Sequence, residues 1–481
     1  MTLKPAVRFS ARITTNNFQC GRFEFQRAIS TQGRNRSSTT ASSNEDFSIR
    51  QSVDVTAQPS TTPVHRPLKS LPMPALLRSI FLGQLFASPM ISNLGLNVLG
   101  RLANARSPLL DVDRNRFLNR LLRAVVYNHF CGGANKSEIA PVLDRLKRSG
   151  YAGVILQYAR EIVTHGRVED SKEDVSAQHI QMWLDGNLQT LSCLGKGDYM
   201  GLKYTGAGKS IADALKADHD PPAQFNAALH EILRAAQAQG TRIFLDAEQQ
   251  DFQAAIDRWT VDLMRQYNVN GEVLVLNTYQ AYLKASRSII RDHLKLARQE
   301  GWHLGVKLVR GAYILNDIRT RIHDTKADTD ASYNGIVRSL LLRSYDDIGP
   351  ENFPKVRTFL AGHNAESIQR AAKLHKDLVL QGCKPATLEF GQLYGMADHV
   401  SGELLQQVED AKLAAKDLTG EAAELQKQAA PRVFKCVNWG TVRECIHFLM
   451  RRAAENQGSA DRLRDGVVES RRELWARLLG Q

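Results

Sequence analysis

Polar and charged side chains recur at the ends of short apolar segments of this chain, and several could bind a ligand or transfer protons. They are Lys203, Asp246, Glu248, Asn277, Gln280, Lys307, Arg310, Tyr313, His363 and Asn364. A charge at the rim of an apolar strand is costly unless it is paired or binds a ligand, so the recurrence favours one shared site. Each residue also has an ordinary alternative. Either lysine can close a structural ion pair, Asp246 can cap a helix, and His363 can be a satisfied buried histidine.

Two adjacent arginines, Arg451 and Arg452, lie in the helical segment GTVRECIHFLMRRAAENQG near the C-terminus. Neighbouring side chains on a helix point about 100° apart, so both reach one target only at the flank of the helix. A carboxylate at that flank would receive two charge-assisted, fork-like contacts. The alternative is a surface ion pair between Arg452 and Glu455, whose spacing is i, i+3.

Eight short apolar segments alternate with longer helical ones and must position these side chains. They begin at Gly153, Tyr199, Arg242, Val273, Leu304, Val356, Ala386 and Arg432. Continuous apolar strands joined by helices predict an α/β fold with a parallel sheet, and eight units predict a (β/α)8 barrel. The active site of such a barrel lies at the C-terminal ends of its strands, where Gly311 and Ala312 leave space for a flat ligand. A doubly wound sheet is the alternative, but no GxGxxG follows the first strand.

Charge and composition divide the chain into four regions. The 481 residues carry a formal net charge of +13, with 43% hydrophobic and 23% charged residues, as in globular proteins. Residues 1–44 hold seven Lys or Arg and one acid and are rich in Ser and Thr. This composition predicts a disordered mitochondrial transit peptide rather than a nucleic-acid-binding arm. A linker at 45–74, a helical arm at 75–150 and the barrel at 151–470 follow, with a helical insertion before the last strand.

Neither a metal centre nor a disulfide framework is indicated, because the six cysteines form no CxxC and no zinc-like spacing with histidine. The most apolar stretch begins at Ala75 and is interrupted by Arg78, Gln84 and Pro89. It falls short of the roughly 20 apolar residues of a spanning helix. We therefore expect an ordinary amphipathic helix, with a membrane-facing helix as the alternative.

Six segments resemble, in order, the signature segments of the proline dehydrogenase family. They are LDAEQQ at Leu245, NTYQAYLK at Asn277, GVKLVRGAY at Gly305, GHN at Gly362, LEFGQLYGM at Leu388 and FLMRRAAENQG at Phe448. The resemblance covers about residues 120–460, and KLVRGAY with RRAxEN is its most specific part. It is similar to the fungal-type mitochondrial monofunctional enzymes. It implies a distorted (β/α)8 barrel with noncovalent FAD, which oxidises L-proline to 1-pyrroline-5-carboxylate and passes electrons to ubiquinone at the matrix side of the inner mitochondrial membrane.

The resemblance also implies roles for individual residues. Those expected to bind substrate are Lys203, Tyr313, Cys436, Phe448, Arg451 and Arg452. Those expected to bind FAD are Asp246, Ala247, Gln280, Lys307, Val309, Gly311, His363, Asn364 and Glu455. Lys203 and Asp246 are the expected catalytic groups. No metal and no nucleic acid is implied.

Three positions depart from the family pattern. Cys436 and Phe448 stand where a tyrosine is usual, and Ala134 stands where a glutamate often pairs an active-site arginine. A cysteine in place of tyrosine leaves room on the order of a phenol ring, so 4-hydroxyproline is the alternative substrate. Outside this family, the alternatives are a Schiff-base aldolase using Lys203 or Lys307 and a non-enzymatic basic protein that binds nucleic acid.

Overall fold

Eight parallel strands form a closed barrel in which every strand pairs with its neighbours in sequence and β1 pairs with β8. The computed structural model describes residues 66–105, 107, 109–159, 173–314, 316–455 and 460–480. The strands are β1 Gly153–Tyr158, β2 Tyr199–Leu202, β3 Arg242–Leu245, β4 Val275–Gln280, β5 Leu304–Val309, β6 Val356–Ala361, β7 Thr387–Leu393 and β8 Arg432–Trp439. The expected transit peptide, residues 1–44, lies outside the described residues, as does most of the linker.

The predicted barrel is confirmed, and six of its strands begin at the predicted residue. The other two, β4 and β7, begin two residues and one residue later. At β4 the amide oxygen of Asn268 accepts the backbone N–H groups of Leu274 and Val275, so a side chain satisfies the donors that precede the strand. The continuous apolar segments thus predicted the strands well, because strands buried on both faces leave a clear signal.

Helices cover the outside of the barrel and precede it. The helices are α1 Met73–Ala87, α2 Pro89–Ala103, α3 Arg116–Leu122, α4 Asn128–Phe130, α5 Lys136–Arg148, α6 Glu173–Leu191, α7 Lys209–Lys216, α8 Ala223–Gln239, α9 Gln250–Tyr267, α10 Ser286–Glu300, α11 Lys326–Leu341, α12 Ala365–Leu380, α13 Asp398–Lys416, α14 Gly420–Ala429, α15 Val442–Glu455 and α16 Ala460–Leu478. A π-helical segment, Arg123–Tyr127, joins α3 to α4. The insertion predicted before the last strand is the end of α13 with α14.

Aromatic side chains fill the barrel interior. The ring of Tyr199 stacks on that of Phe244 at a centroid distance of 4.5 Å, and Phe359 and Phe434 pack against the same ring. Next to them lies the fully buried carboxylate of Glu389, which accepts the hydroxyl of Tyr199. This carboxylate also forms ion pairs with Arg357, at 3.0 Å, and Arg432, at 2.9 Å. The barrel is therefore a packed core, as in other (β/α)8 proteins, and its open space lies at one end.

The most apolar stretch of the sequence forms two helices, α1 and α2, separated at Ser88 where Pro89 begins the second helix. Helix α1 packs against α16, and α2 packs against α15. An ion pair of 2.8 Å between Arg66 and Glu473 fixes the start of this arm to α16. Within the described residues, we find no helix that combines the length and apolarity needed to cross a bilayer.

Candidate active site

A cavity of about 290 Å³ opens at the C-terminal ends of the strands. Its lining includes eleven of the residues expected from the sequence to bind substrate or cofactor. They are Lys203, Asp246, Ala247, Gln280, Lys307, Val309, Gly311, Tyr313, His363, Cys436 and Arg452. Glycine and alanine lie between the charged side chains, at Gly201, Ala361 and Gly391. A flat ligand could therefore lie against the strand ends with charged groups around it.

Both carboxylate oxygens of Asp246 have partners in the cavity. Its Oδ1 atom lies 2.6 Å from Nζ of Lys307, and its Oδ2 atom accepts a hydrogen bond of 2.5 Å from Nε2 of Gln157. Burial is the largest effect and opposes ionisation of this carboxyl, but the charges of Lys307 and Lys203, together with hydrogen bonds from Lys307 and Gln157, hold its pKa below its usual range. Asp246 is therefore a fixed negative charge rather than a proton donor at neutral pH.

Gln157 was missed by the sequence analysis. It lies near the end of β1, and its amide both bonds Asp246 and lines the cavity. The signal was the one used for the other strands, a polar residue near the end of an apolar segment. The same reasoning applied to GVILQYA would have found it.

The turn after β5 is tied to β4 through Gln280. Its Oε1 atom accepts the backbone N–H of Ala312 at 3.1 Å, and its Nε2 atom donates to the carbonyl oxygen of Glu248 at 3.3 Å. Gly311 has a φ of 156°, and a Cβ there would lie 2.5 Å from the ring of Tyr282. The glycine therefore allows a close approach that a side chain would prevent.

Tyr313 connects this turn to the arginine pair. Nη1 of Arg451 donates to the Tyr313 hydroxyl at 3.3 Å, and its guanidinium carbon lies 5.8 Å from the centre of that ring. Burial raises the pKa of the Tyr313 hydroxyl, although the nearby charges of Lys203 and Arg451 reduce the effect. Arg452 lines the cavity itself, with its guanidinium carbon 5.5 Å from the centre of the Phe448 ring. Arg452 thus lines the cavity directly, whereas Arg451 contacts Tyr313, which lines it.

Phe448 does not line the cavity. It is 3% exposed and packs in an apolar cluster with Leu122, Tyr127 and Val442, because it lies on the side of α15 that faces the N-terminal arm. The helix was predicted from the sequence, but which of its faces lies against the barrel was not. Ala134 also lies away from the cavity lining, and its backbone N–H donates to Oε2 of Glu138 at 3.0 Å.

Other polar residues at the strand ends have structural partners. Asn364 caps α12, accepting the backbone N–H of Ser367 at 2.9 Å. Arg310 pairs with Asp330 at 2.9 Å and bonds Ser367. Asn277 donates to Asp257 at 2.7 Å. The described contacts of these three side chains are therefore those of a helix cap, an ion pair and a structural hydrogen bond. The side chain of Glu455 lies outside those that the structure describes.

No metal centre is evident among the described residues, because they contain no group of three His, Cys, Asp or Glu placed to hold an ion. Cys436 lines the cavity with a partly exposed side chain. Burial raises the pKa of its thiol to about 11, so the group is neutral and weakly nucleophilic at neutral pH.

Comparison with known proteins gives one consistent result. The family model described as proline dehydrogenase matches residues 140–465. The Schizosaccharomyces pombe protein named probable proline dehydrogenase, mitochondrial, is 27% identical over an alignment of 463 residues that covers 84% of this chain and 88% of its own length. The rat protein named hydroxyproline dehydrogenase is 27% identical over an alignment of 424 residues that covers 76% of this chain and 85% of its own length.

A human protein named proline dehydrogenase 1, mitochondrial, is 33% identical over 259 residues, 52% of this chain and 37% of the human protein. Among solved structures, proline utilization A from Bdellovibrio bacteriovorus, inactivated by N-propargylglycine, superposes with a TM-score of 0.58 and 15% identity. That superposition covers 80% of this chain and 38% of the other protein. At this identity the likeness concerns the barrel fold alone.

Proposed function

This chain belongs to the proline dehydrogenase family, and on that premise we propose that it is an FAD-dependent enzyme that oxidises L-proline to 1-pyrroline-5-carboxylate. The observation that carries the proposal is the presence, in one cavity, of the Lys307–Asp246 ion pair and of the cations Lys203 and Arg452. We assign the ion pair to the binding of a planar cofactor, and Lys203 and Arg452 to the binding of a small carboxylate.

The residues of the cavity fit a flavin. Small side chains leave a flat space, and Gln280 and Lys307 border it with polar groups. We assign flavin binding to these two residues and to Ala247, Val309 and Gly311, with His363 and Asn364 beside the site. When bound, the flavin accepts a hydride from the carbon next to the substrate nitrogen, so the protein needs only to position substrate and exclude water.

Lys203 and Arg452 would hold the substrate carboxylate, with Arg451 acting beside them through Tyr313. Charge-assisted contacts from cations are the strong way to fix a carboxylate. Tyr313 is buried and would pack against the substrate ring. The same positive charges favour the uncharged form of the substrate amine, which must lose its proton before a hydride can leave. Asp246 would balance these charges and hold Lys307 in place.

A 4-hydroxylated substrate is the second candidate, and Cys436 is the observation that favours it. Its short side chain lines the cavity where a tyrosine is usual in the family, so the space can admit a ring carrying a hydroxyl group. The similarity to the rat protein named hydroxyproline dehydrogenase extends over 76% of this chain. An aldolase that uses Lys307 is less well supported, because the ammonium group of Lys307 lies in an ion pair with Asp246 and is a poor nucleophile.

We also propose ubiquinone as the electron acceptor, at the matrix side of the inner mitochondrial membrane. Relatives with mitochondrial names support the location, as does the basic composition of residues 1–44. Residues 55–110 contain no Asp or Glu, and the helices α1 and α2 within them expose apolar side chains such as Leu77, Phe81 and Leu94. An apolar face without acidic residues suits peripheral contact with an anionic bilayer.

Anaerobic titration of the purified, flavin-loaded protein tests the proposal. We expect L-proline to bleach the flavin absorbance and 1-pyrroline-5-carboxylate to form in equal amount. Stronger bleaching by 4-hydroxyproline would favour the second candidate. A colourless protein that borohydride traps covalently with a carbonyl substrate would replace both with the aldolase.

A further inference from the structure

A second cavity, of about 400 Å³, borders the first one. The two share His363, which lines both and accepts the backbone N–H of Leu393 at 3.1 Å. The inner wall of the second cavity consists of the segments that follow β6 and β7, including Met396 and His399. Any group bound there would therefore lie next to the active-site cavity, separated from it by the loop that carries His363.

The outer wall of this cavity consists of α1 and α16. Leu82 and Gly83 face the cavity from α1, and Gly466 and Val467 face it from α16. A Cβ on Gly83 would lie 2.2 Å from Cγ2 of Val467, so the helices touch closely at this point. These are two of the helices that carry the exposed apolar surface of the protein. Helices α1 and α16 thus line the cavity with some residues and expose apolar side chains to the surroundings with others.

Both helices carry exposed apolar side chains. Leu77 and Phe81 on α1 are 50% and 53% exposed, and Trp475 on α16 is 62% exposed. Leu77 and Phe81 are four residues apart, so they form one stripe along the helix. An apolar ligand that dissolves in a bilayer could reach the cavity from this side.

The charges of the lining exclude an anionic ligand. None of the described residues that line the cavity is a lysine or an arginine, whereas Glu366, Asp398 and Asp465 are acidic. Asp398 is neutralised by an ion pair of 2.6 Å with Lys435. Burial lowers the pKa of His399 below its usual range, so its imidazole is neutral at pH 7. A phosphate-bearing acceptor would meet unfavourable charge here, and a neutral one would not.

We propose that this second cavity binds a neutral, lipid-soluble benzoquinone as the electron acceptor of the enzyme. The inference rests on the proposed function, which supplies the reduced flavin. Reduction of the quinone takes two electrons and two protons, all from the dihydroflavin left by substrate oxidation, and it yields hydroquinone and oxidised flavin. Leu82, Phe130 and Val467 supply apolar contacts for the ring, and a ring N–H of His399 can donate to a quinone carbonyl.

Gly466 allows a matched pair of variants. A Cβ at this position would lie 3.7 Å from Nδ1 of His399, an ordinary contact, so Gly466→Ala adds a methyl group without strain. Gly466→Leu extends further and fills the space between α16 and His399. Both substitutions favour the helix relative to glycine, so both variants should fold.

Binding of a short-chain ubiquinone analogue to the oxidised, flavin-loaded protein is measured by calorimetry. We expect Gly466→Leu to weaken binding at least tenfold and Gly466→Ala to leave it within twofold of the parent. In stopped-flow experiments, flavin reduction by the imino acid should be unchanged in both variants. Flavin reoxidation by the quinone should slow at least tenfold in Gly466→Leu, whereas reoxidation by ferricyanide should not.

Equal quinone affinity in the two variants would overturn the proposal. Loss of flavin from Gly466→Leu would also overturn it, because the cavity would then belong to the cofactor. If Gly466→Leu does not fold, photolabelling of the parent protein with an azidoquinone decides the matter. Label in peptides of α1 or α16 supports the site, and label elsewhere contradicts it. Quinone binding is measured without imino acid and therefore does not depend on the proposed oxidation. If the proposed function is wrong, L-proline will not bleach the flavin, whatever the quinone affinity.

Discussion

Nζ of Lys307 and Oδ1 of Asp246 lie 2.6 Å apart, joining the ends of two strands that are not neighbours in the barrel, β5 and β3. Gln157 extends the connection to β1 through the second oxygen of the same carboxylate. Three alternate strands are thereby joined across the mouth of the barrel. The carboxylate is well buried, so its charge depends on these partners.

Replacing Lys307 with methionine should destabilise the protein. Removing one partner of a buried ion pair typically costs about 3 kcal/mol, because the other charge stays buried without compensation. The pKa of Asp246 is lowered by Lys307 in the parent, so this stabilisation is present above the pKa of an unfolded aspartate and is lost as pH falls below it. Urea titrations should therefore show a lower midpoint for Lys307→Met at pH 7 and a smaller difference near pH 4.

Lys307→Arg is the matched control, because it keeps a cation beside Asp246. We expect its free energy of unfolding to lie within about 1 kcal/mol of the parent, because the buried carboxylate of Asp246 keeps a compensating cation. Flavin content should be determined for each protein before titration. Equal midpoints for the methionine variant and the parent would contradict a stabilising pair.

Arg452→Met should weaken substrate binding and leave the flavin in place. Loss of one charge-assisted contact to a carboxylate costs roughly 1.5 to 3 kcal/mol, which corresponds to an increase in KM for L-proline of about tenfold to hundredfold. Arg443→Met on the same helix is the control. Arg443 pairs with Asp111 at 2.9 Å in the N-terminal arm, so its loss should leave KM unchanged. An unchanged KM in Arg452→Met would remove this residue from the substrate site.

Cys436→Tyr should shift the substrate preference from 4-hydroxyproline towards proline. A phenol ring at this position of the cavity lining takes up the space that a substrate hydroxyl would need. We expect kcat/KM for 4-hydroxyproline, divided by kcat/KM for proline, to fall about tenfold. An unfavourable contact in a tight pocket costs about one to a few kcal/mol. Cys436→Ser keeps the size and serves as the control. Identical ratios in all three proteins would mean that Cys436 does not set substrate size.

Acidification should destabilise the folded chain through His129. Burial lowers its pKa from 6.5 to about 4, so the unfolded chain binds a proton that the folded chain does not. Stability is therefore lost as pH falls from about 6.5 towards 4, by up to about 3 kcal/mol for this group. Urea titrations over this range should show a weaker pH dependence for His129→Asn. An unaltered slope would show that other groups dominate.

The strands of this protein were predictable from sequence because each is buried on both faces and bounded by polar residues. The cavity residues followed from one rule, since side chains at the strand ends must meet at one end of a barrel. Phe448, which the family resemblance placed in the substrate site, lies on α15 outside the cavity lining. Its helix was predictable, but the rotation of α15 depends on packing against the arm, which no local pattern records. The second cavity could not be foreseen either, because segments near residues 82, 363, 397 and 466 form it together.

The contacts that join the start of the N-terminal arm to α16 have a consequence for synthesis of the chain. Arg66 and Glu473 are separated by 407 residues, and β1 pairs with β8, which begins about 280 residues later in the chain. A chain made from its N-terminus first therefore exposes the inner face of α1 and an open edge of the sheet until nearly all of it has emerged. Such long-range contacts form late and slowly, and the exposed segments are prone to aggregate. Shielding of the growing chain until α16 is complete would therefore limit aggregation during assembly of this barrel.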